Sequence, residues 1–206
     1  MKPKRSLGQN FLTSRAVAHK IVDAGDVHAD DIVLEIGPGK GVLTEWLVAL
    51  AARVIAVEKD DALFTFLQEK FKNAIRHGKL ELVHADILDF DPSTICSLPS
   101  TGYNLIANIP YNITGALVRK FLESATQPDQ MVLLVQKEVA ERIVARDGKE
   151  SLLSISVKAY GTPRIVANVP AGNFFPKPKV DSAILAIANI SKQFFRTRKT
   201  KTWKLL

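Results

Sequence analysis

The chain has 206 residues, of which 47% are apolar and 24% charged. This composition can form a buried core, and the length is sufficient for one α/β domain but not for a second large domain. Its single cysteine, Cys96, excludes an internal disulfide and a cysteine metal cluster and favours a reducing compartment. No run reaches the roughly 20 apolar residues that span a membrane, and the first thirty residues lack a signal-peptide core, so we expect a cytoplasmic protein.

The formal net charge of +7 is concentrated at the two ends of the chain. Residues 192–206 contain six basic residues and no acid, and Lys2, Lys4 and Arg5 add three more. Without these nine, the 28 basic residues fall to 19, against 21 acidic residues. Basic ends suit a polyanion, because lysine and arginine release counterions from phosphates. Charge alone is equally consistent with solubility.

Short apolar runs alternate with segments of helical periodicity over the first two thirds of the chain. Runs that resemble strands buried on both faces lie at 31–37, 53–58, 79–86, 103–108 and 130–136. Apolar residues recur at helical spacing over 42–50, 63–71 and 117–122. This order predicts a doubly wound, mostly parallel, Rossmann-like sheet.

The pattern changes after Gly148. The stretches 151–161 and 182–190 both resemble strands, with a turn-rich stretch between them and no long helix. We therefore predict that these two stretches form an antiparallel pair at the edge of the sheet.

The first predicted strand runs into a glycine-rich turn, "EIGPGKG" at 35–41. Gly37, Gly39 and Gly41 would let a ligand approach the backbone closely. The G-x-G-x-G spacing differs from the G-x-G-x-x-G of dinucleotide sites and lacks the Gly-Lys-Ser/Thr of a P-loop, which favours a nucleoside ligand without a pyrophosphate. Taken alone, the motif is also compatible with a tight turn or with a nicotinamide dehydrogenase.

Two acids follow the next two predicted strands. Glu58 comes twenty-one positions after Gly37, near the offset of roughly 20 at which an acid meets ribose hydroxyls. Asp86 follows the third strand and could accept a hydrogen bond from an adenine amino group. Either acid alone could be a solvated strand end, but together with the glycine turn they favour a nucleoside site.

The fourth predicted strand ends in Asn108, Ile109, Pro110 and Tyr111. The lone pair of an adenine amino group is delocalised into the ring. Accepting both N–H bonds, from the Asn108 side chain and the Ile109 or Pro110 carbonyl, would favour a more pyramidal and nucleophilic nitrogen. Tyr111 could stack on the base and hold it in line with a methyl donor. The alternative is a helix-capping asparagine followed by a structural proline.

Six ordered motifs together resemble the rRNA adenine dimethyltransferase family of S-adenosylmethionine-dependent enzymes. They are "SLGQNFL" (6–12), "EIGPGKG" (35–41), Glu58, "HAD" (84–86), "NIPYNIT" (108–114) and "FFPKPKVDSAI" (174–184). The resemblance implies a class I methyltransferase fold, an S-adenosylmethionine site and a target-base site. The implied cofactor residues are Asn10, Leu12, Gly37, Gly39, Glu58, Asp86 and Asn108, and the implied catalytic residues are Asn108, Pro110, Tyr111 and Phe174. Phe174 would be the second aromatic face against the base, whereas spacing alone would make Phe174 and Phe175 core residues.

The housekeeping branch of this family dimethylates two adjacent adenines near the 3′ end of small-subunit rRNA, and "SLGQNFL" and "PKPKVDSAI" resemble that branch more closely. The resemblance therefore implies a monomer that acts on small-subunit rRNA within a pre-ribosomal particle. Two alternatives stay open: a macrolide-resistance type of large-subunit rRNA methyltransferase, and an RNA-binding ribosome-assembly factor with little or no catalysis.

The end of the chain departs from the family pattern. Relatives continue after the equivalent of residue 195 into a small helical lobe, whereas eleven residues, "RTRKTKTWKLL", remain here. We predict a catalytic domain over 1–195 and a poorly ordered basic tail over 196–206. The four histidines show no spacing typical of metal ligands, so we expect no metal site.

Overall fold

The computed structural model describes residues 3–4, 8–96, 102–146 and 148–197, and within these ranges nine strands and eight helices follow one another. The strands are β1 (Phe11–Leu12), β2 (Ile32–Ile36), β3 (Arg53–Glu58), β4 (Leu80–His84), β5 (Asn104–Asn108), β6 (Gln130–Gln136), β7 (Thr162–Val169), β8 (Phe174–Phe175) and β9 (Ser182–Ala188). The helices are α1 (Arg15–Ala24), α2 (Val42–Leu50), α3 (Asp61–Lys70), α4 (Lys72–Arg76), α5 (Thr114–Glu123), α6 (Lys137–Val144), α7 (Leu152–Tyr160) and α8 (Gln193–Thr197).

Seven strands form one sheet in the order β4-β3-β2-β5-β6-β9-β7. The five strands from β4 to β6 are parallel, so their carboxyl ends share one rim. The chain moves outward from β2 to β4 and then returns to β5 on the other side of β2. This topological switch point lies between β2 and β5, where ligands of doubly wound folds bind.

Helices cover both faces of the sheet because successive strand residues point to opposite sides. In β2, Val33 packs into the layer with residues of α1 and α2, whereas Leu34 packs into the layer with α5, α6 and α7. Every residue of β2 is buried, which explains why its sequence is an apolar run rather than an alternation. The predicted fold class, with parallel strands flanked by helices, is confirmed.

The antiparallel edge is also confirmed, but one of its predicted strands was wrong. Strand β9 pairs antiparallel with β6 on one side and with β7 on the other. The stretch 151–161, predicted as a strand, forms α7, and β7 comes from the stretch predicted to be turn-rich.

Local hydrogen bonding explains why 151–161 is helical. The Ser151 hydroxyl accepts from the Ser154 amide and the Ser154 hydroxyl accepts from the Ser151 amide, a reciprocal capping box. Buried residues then recur at helical spacing, at Ser154, Val157 and Tyr160. The apolar residues of this segment wrongly indicated a buried strand, because Leu152 and Ile155 are 70% and 56% exposed.

A second, two-stranded ribbon joins the beginning of the chain to its later part. Phe11 pairs with Phe175 and Leu12 with Phe174, antiparallel. At the other end, α8 crosses the boundary predicted at residue 195, and the rest of the predicted tail, 198–206, lies outside the described residues. Among the helices described, none has the length and apolar character needed to cross a bilayer.

Candidate active site

A cavity of about 270 Å³ opens at the switch point of the sheet. Its walls come from the segment before α1, the glycine-rich turn after β2, and the ends of β3, β4 and β5. Nine of the ten predicted site residues line it: Asn10, Leu12, Gly37, Gly39, Glu58, Asp86, Asn108, Pro110 and Tyr111. Residues far apart in sequence therefore meet at one rim, as the parallel topology predicts.

The glycine-rich turn has left-handed backbone geometry at alternate residues. Gly37, Gly39 and Gly41 have φ angles of 62°, 59° and 75°. At Gly41 a side chain is excluded for two reasons. Its positive φ angle disfavours any residue with a Cβ atom, and a Cβ atom there would lie 2.5 Å from Cε2 of Phe71. At Gly37 a Cβ would meet only the Asn108 carbonyl oxygen, 4.0 Å away. The turn thus leaves space beside the end of β5.

A hydrogen bond to Glu58 connects this turn to the end of β3. Its Oε2 accepts from the Gly39 amide at 3.2 Å and its Oε1 accepts from the Asp60 amide at 2.9 Å. The side chain is almost fully buried, and burial raises the pKa of its carboxyl above the ordinary value. Each oxygen keeps lone-pair capacity for a further donor, so the carboxylate can still accept from ligand hydroxyls.

Asp86 has a different environment. Its Oδ2 forms an ion pair with Lys59 Nζ at 2.5 Å, and its Oδ1 accepts from the Leu88 amide at 2.9 Å. The bond from Lys59 is the main reason why the pKa of this carboxyl lies below its usual value. Asp86 is therefore held as an anion, in a fixed orientation, on the wall of the cavity.

Asn108 is held by the beginning of the chain. Its Nδ2 donates to the Asn10 carbonyl oxygen at 3.2 Å, and none of the described residues donates to its Oδ1. It caps no helix: the 3₁₀ turn Tyr111–Ile113 and α5 both begin without a side-chain cap bond. The capping alternative is thereby excluded, and Asn108, which lines the cavity, keeps its amide oxygen available as an acceptor.

The residues after Asn108 are also fixed. The Pro110 carbonyl accepts from the Ile113 amide at 3.2 Å, within the 3₁₀ turn. The Tyr111 hydroxyl lies 2.7 Å from Ser182 Oγ, at the first residue of β9, and burial raises the pKa of the half-buried phenol. The ring of Tyr111 is therefore anchored at one end by the antiparallel edge of the sheet.

Phe174 is the predicted site residue that the structure does not bring to the cavity. It is 4% exposed and packs in the core with Leu12 and Val169. The core position expected from spacing is thus confirmed for Phe174 but is wrong for Phe175, which is 56% exposed because successive residues of β8 point to opposite sides. The role of Phe174 as a face for the target base stays a prediction.

Sequence reasoning missed Glu35 as a site residue. Glu35 lines the cavity and is 1% exposed, and neither carboxylate oxygen has a hydrogen-bond partner. Burial and the nearby charge of Glu58 raise its pKa to about 8. The Thr44 hydroxyl lowers this value in part, although it forms no hydrogen bond of normal geometry with the carboxylate. A single acid inside a strand of otherwise apolar residues was the signal available in the sequence.

The segment before β1 is fastened to α3 through Asp60. Lys4 Nζ lies 2.9 Å from Asp60 Oδ2, and Gln9 Nε2 donates to the same oxygen at 3.2 Å. Burial alone would raise the pKa of Asp60, but these bonds and one from the Leu63 amide outweigh it and hold the pKa below its usual value. Asp60 also caps α3 through the Ala62 and Leu63 amides. It therefore links one wall of the cavity to another.

Within the described residues, histidine, cysteine, aspartate and glutamate form no group of three that could hold a metal ion.

Comparisons with known proteins place this geometry in a family. The sequence model of ribosomal RNA adenine dimethylase matches residues 1–206. The chain is 48% identical over 187 residues to the ribosomal RNA small subunit methyltransferase A of Dehalococcoides mccartyi strain BAV1, covering 91% of this chain and 63% of that protein. It is 40% identical over 200 residues to the protein of the same name from Deinococcus radiodurans, covering 96% and 64%. The chain thus spans less than two thirds of the length of these relatives.

Two crystal structures have a similar fold and more than 30% sequence identity. A dimethyladenosine transferase from Plasmodium falciparum superposes with a TM-score of 0.77 and 33% identity, over 92% of this chain and 66% of that one. The 23S rRNA methyltransferase ErmE superposes with a TM-score of 0.78 and 32% identity, over 89% and 71%. With the family match covering its whole length, this chain belongs to the ribosomal RNA adenine dimethylase family.

Proposed function

We propose that this chain transfers methyl groups from S-adenosylmethionine to the exocyclic amino groups of two adjacent adenines near the 3′ end of small-subunit rRNA. The observation that carries the proposal is the position of the Asn108 amide oxygen. It is an acceptor without a described donor, on a residue of the cavity wall that also contains the glycine-rich turn and the acids Glu58 and Asp86.

The cavity residues fit the cofactor. S-adenosylmethionine carries an ammonium and a sulfonium charge, and the buried, unpartnered carboxylate of Glu35 can be stabilised by a cation. Glu58 can accept from the ribose hydroxyls and Asp86 from the adenine amino group. The left-handed turn at Gly37 and Gly39 leaves room beside the backbone. When bound, the cofactor supplies an electrophilic methyl group, and the protein residues position the acceptor.

The acceptor amine would be oriented by two oxygens. The Asn108 Oδ1 accepts one N–H bond. The second goes to the Ile109 or the Pro110 carbonyl, and we favour Ile109 because the Pro110 carbonyl already uses one of its two lone pairs to accept from the Ile113 amide. Drawing both hydrogens toward these acceptors favours a pyramidal nitrogen with an available lone pair. Catalysis of this kind depends on orientation, to which a misplacement of about 1 Å matters greatly.

Tyr111 would stack on the target base. Its hydroxyl bond to Ser182 holds the ring in one orientation without requiring the hydroxyl to take part in the reaction. The assignment of Phe174 to the opposite face of the base is part of the proposal, and it requires the ring of Phe174, now in the core, to become accessible.

The substrate is proposed from the relatives that share the family and from the basic ends of the chain. Small-subunit enzymes at 48% identity favour small-subunit rRNA, within a pre-ribosomal particle, over the large-subunit substrate named for ErmE. We propose a monomer in the cytoplasm, acting on RNA with no metal.

The test is transfer of tritiated methyl groups from the cofactor to immature small subunits, large subunits and naked rRNA. We expect labelling of immature small subunits, lost in Asn108→Ala and kept in Asn73→Ala, an exposed asparagine on α4. Labelling of large subunits alone would support the macrolide-resistance alternative. RNA binding without labelling of any substrate would support an assembly factor.

A further inference from the structure

The last residue of β8 and the loop that follows it present an aromatic ring and two lysines to solvent. Phe175, Lys177, Lys179 and Val180 are all exposed, with Phe175 at 56%. We call residues 175–180 the β8 loop. Water solvates an exposed phenylalanine poorly. A flat partner that stacked on this ring would remove its apolar surface from water.

The ribbon between β1 and β8 sets this ring beside the cavity. Phe175 lies directly opposite Phe11, and residues opposite each other in an antiparallel pair share a face. Phe11 lines the cavity, and the Lys40 ammonium lies 5.2 Å from the centre of its ring. Phe175 therefore continues the cavity wall outward, onto the surface around the opening.

Several contacts hold the β8 loop in place at both ends. Before it, the Thr13 amide and hydroxyl both donate to the Asn173 carbonyl at 2.9 Å. After it, the Asp181 carboxylate accepts from the Ala171 amide at 2.9 Å. Pro176 and Pro178 restrict the backbone between these points. A partner that covered Phe175 would therefore meet a surface that is already ordered.

The charge of the β8 loop is uncompensated. Across the described residues, no carboxylate lies within 4.0 Å of the ammonium of Lys177 or Lys179, whereas the cavity lysine Lys59 is paired with Asp86. Free lysines beside an exposed ring are the combination that binds single-stranded nucleic acid, in which bases stack on aromatic rings and phosphates meet cations.

We propose that the β8 loop binds the nucleotide next to the target adenine. The base stacks on Phe175, and the flanking phosphates contact Lys177 and Lys179. This inference rests on the proposed function, because it requires an RNA substrate with unpaired adenines. It adds, beside the target-base site, a second position that holds a neighbouring nucleotide.

The experiment is a double-mutant cycle between protein and RNA. The RNA is a hairpin with two adjacent adenines in its loop, and a matched RNA has an abasic site in place of one neighbouring base. We expect Phe175→Leu to weaken binding about 5- to 150-fold, which is the effect of losing one base-aromatic stack. Phe175→Tyr should bind like the parent, and so should the control Phe66→Leu, an exposed phenylalanine on α3.

The abasic RNA identifies the contact. The parent should bind it as weakly as Phe175→Leu binds intact RNA, and combining both changes should cause no further loss. Replacing both lysines by glutamine should reduce the slope of log affinity against log salt by about 0.7 for each lysine.

Each result decides between the proposals. Additive effects of Phe175→Leu and the abasic site, or parent-like affinity of Phe175→Leu with normal methyl transfer, would overturn the stacking proposal and leave the proposed function intact. Coupled effects in a chain that transfers no methyl group would overturn the enzymatic function alone. A chain that binds neither the hairpin nor immature small subunits would overturn both.

Discussion

Replacing Glu35 with glutamine should remove the pH dependence of stability that a buried carboxyl imposes. Glu35 lies in the central strand β2, 1% exposed, with a pKa of about 8. In the unfolded chain its pKa should be near 4.3. Between these values the folded state holds a proton that the unfolded state has released. Stability must therefore fall as pH rises, and the full penalty is reached above pH 8.

The size of the effect follows from the two pKa values. At pH 6 the folded carboxyl is still protonated, whereas at pH 9 it is mostly ionised in a site that cannot solvate it. Linkage then predicts a loss of about 3 kcal/mol in the free energy of unfolding between pH 6 and pH 9. Glu35→Gln keeps the shape of the side chain and cannot ionise, so this part of the pH dependence should disappear.

Urea unfolding at pH 6, 7.5 and 9 measures this directly. Burial also raises the pKa values of Glu58 and Asp129, and both groups remain in the variant, so the comparison of parent with Glu35→Gln isolates one carboxyl. Glu138→Gln, an exposed glutamate on α6, is the matched control. Equal pH slopes for the parent and Glu35→Gln would refute the argument that Glu35 is buried without a partner.

Three further predictions concern the residues around the cavity. Glu58→Ala should weaken S-adenosylmethionine binding by about 1.5 to 3 kcal/mol in calorimetry, because a charged hydrogen-bond acceptor is lost; equal affinity would contradict its role. Asn108→Ala should lower the rate of single-turnover methyl transfer far more than it lowers RNA affinity. Tyr111→Ala should in addition change the RNA concentration that saturates the reaction. Equal losses of rate and affinity in Asn108→Ala would argue against a role for Asn108 in orienting the amine. Asp60→Asn should speed cofactor release in stopped-flow experiments, because Lys4 loses its charged partner; an unchanged release rate, with α3 intact, would show that this link is not needed.

The residues at the rim of the site could be predicted, because buried parallel strands are recognisable in the sequence as apolar runs that end in a polar residue. Glu58 and Asn108 each occupy the last position of a buried strand, and the sheet brings such positions together whatever their separation in sequence. The glycine spacing added the turn geometry. Nothing beyond strand order was needed to place these residues at one cavity.

Which side chains of a segment are buried could not be read from the sequence. The stretch 151–161 has enough apolar residues for a strand, and only the pairing of Ser151 with Ser154 and the exposure of Leu152 show that it is a helix. Likewise, the choice of which phenylalanine of β8 faces the core depends on its register with β1. That register brings Leu12 opposite Phe174, and a shift of one residue would exchange Phe174 and Phe175.

The acidic residues of the cavity differ in the hydrogen bonds and ion pairs that they form within the protein. Glu58 accepts from two backbone amides, and Asp86 accepts from an amide and a lysine, so hydrogen bonds within the protein already fix both carboxyl groups in position. Glu35 has neither an amide nor an ion pair, and in the folded protein it holds its proton near neutral pH. A cationic ligand beside it would lower its pKa and release that proton, so cofactor binding at pH 7 should release protons. Under the proposed function, the preformed acceptors would recognise the neutral hydroxyl and amino groups of the cofactor, and the unpaired carboxyl would favour its positive charge.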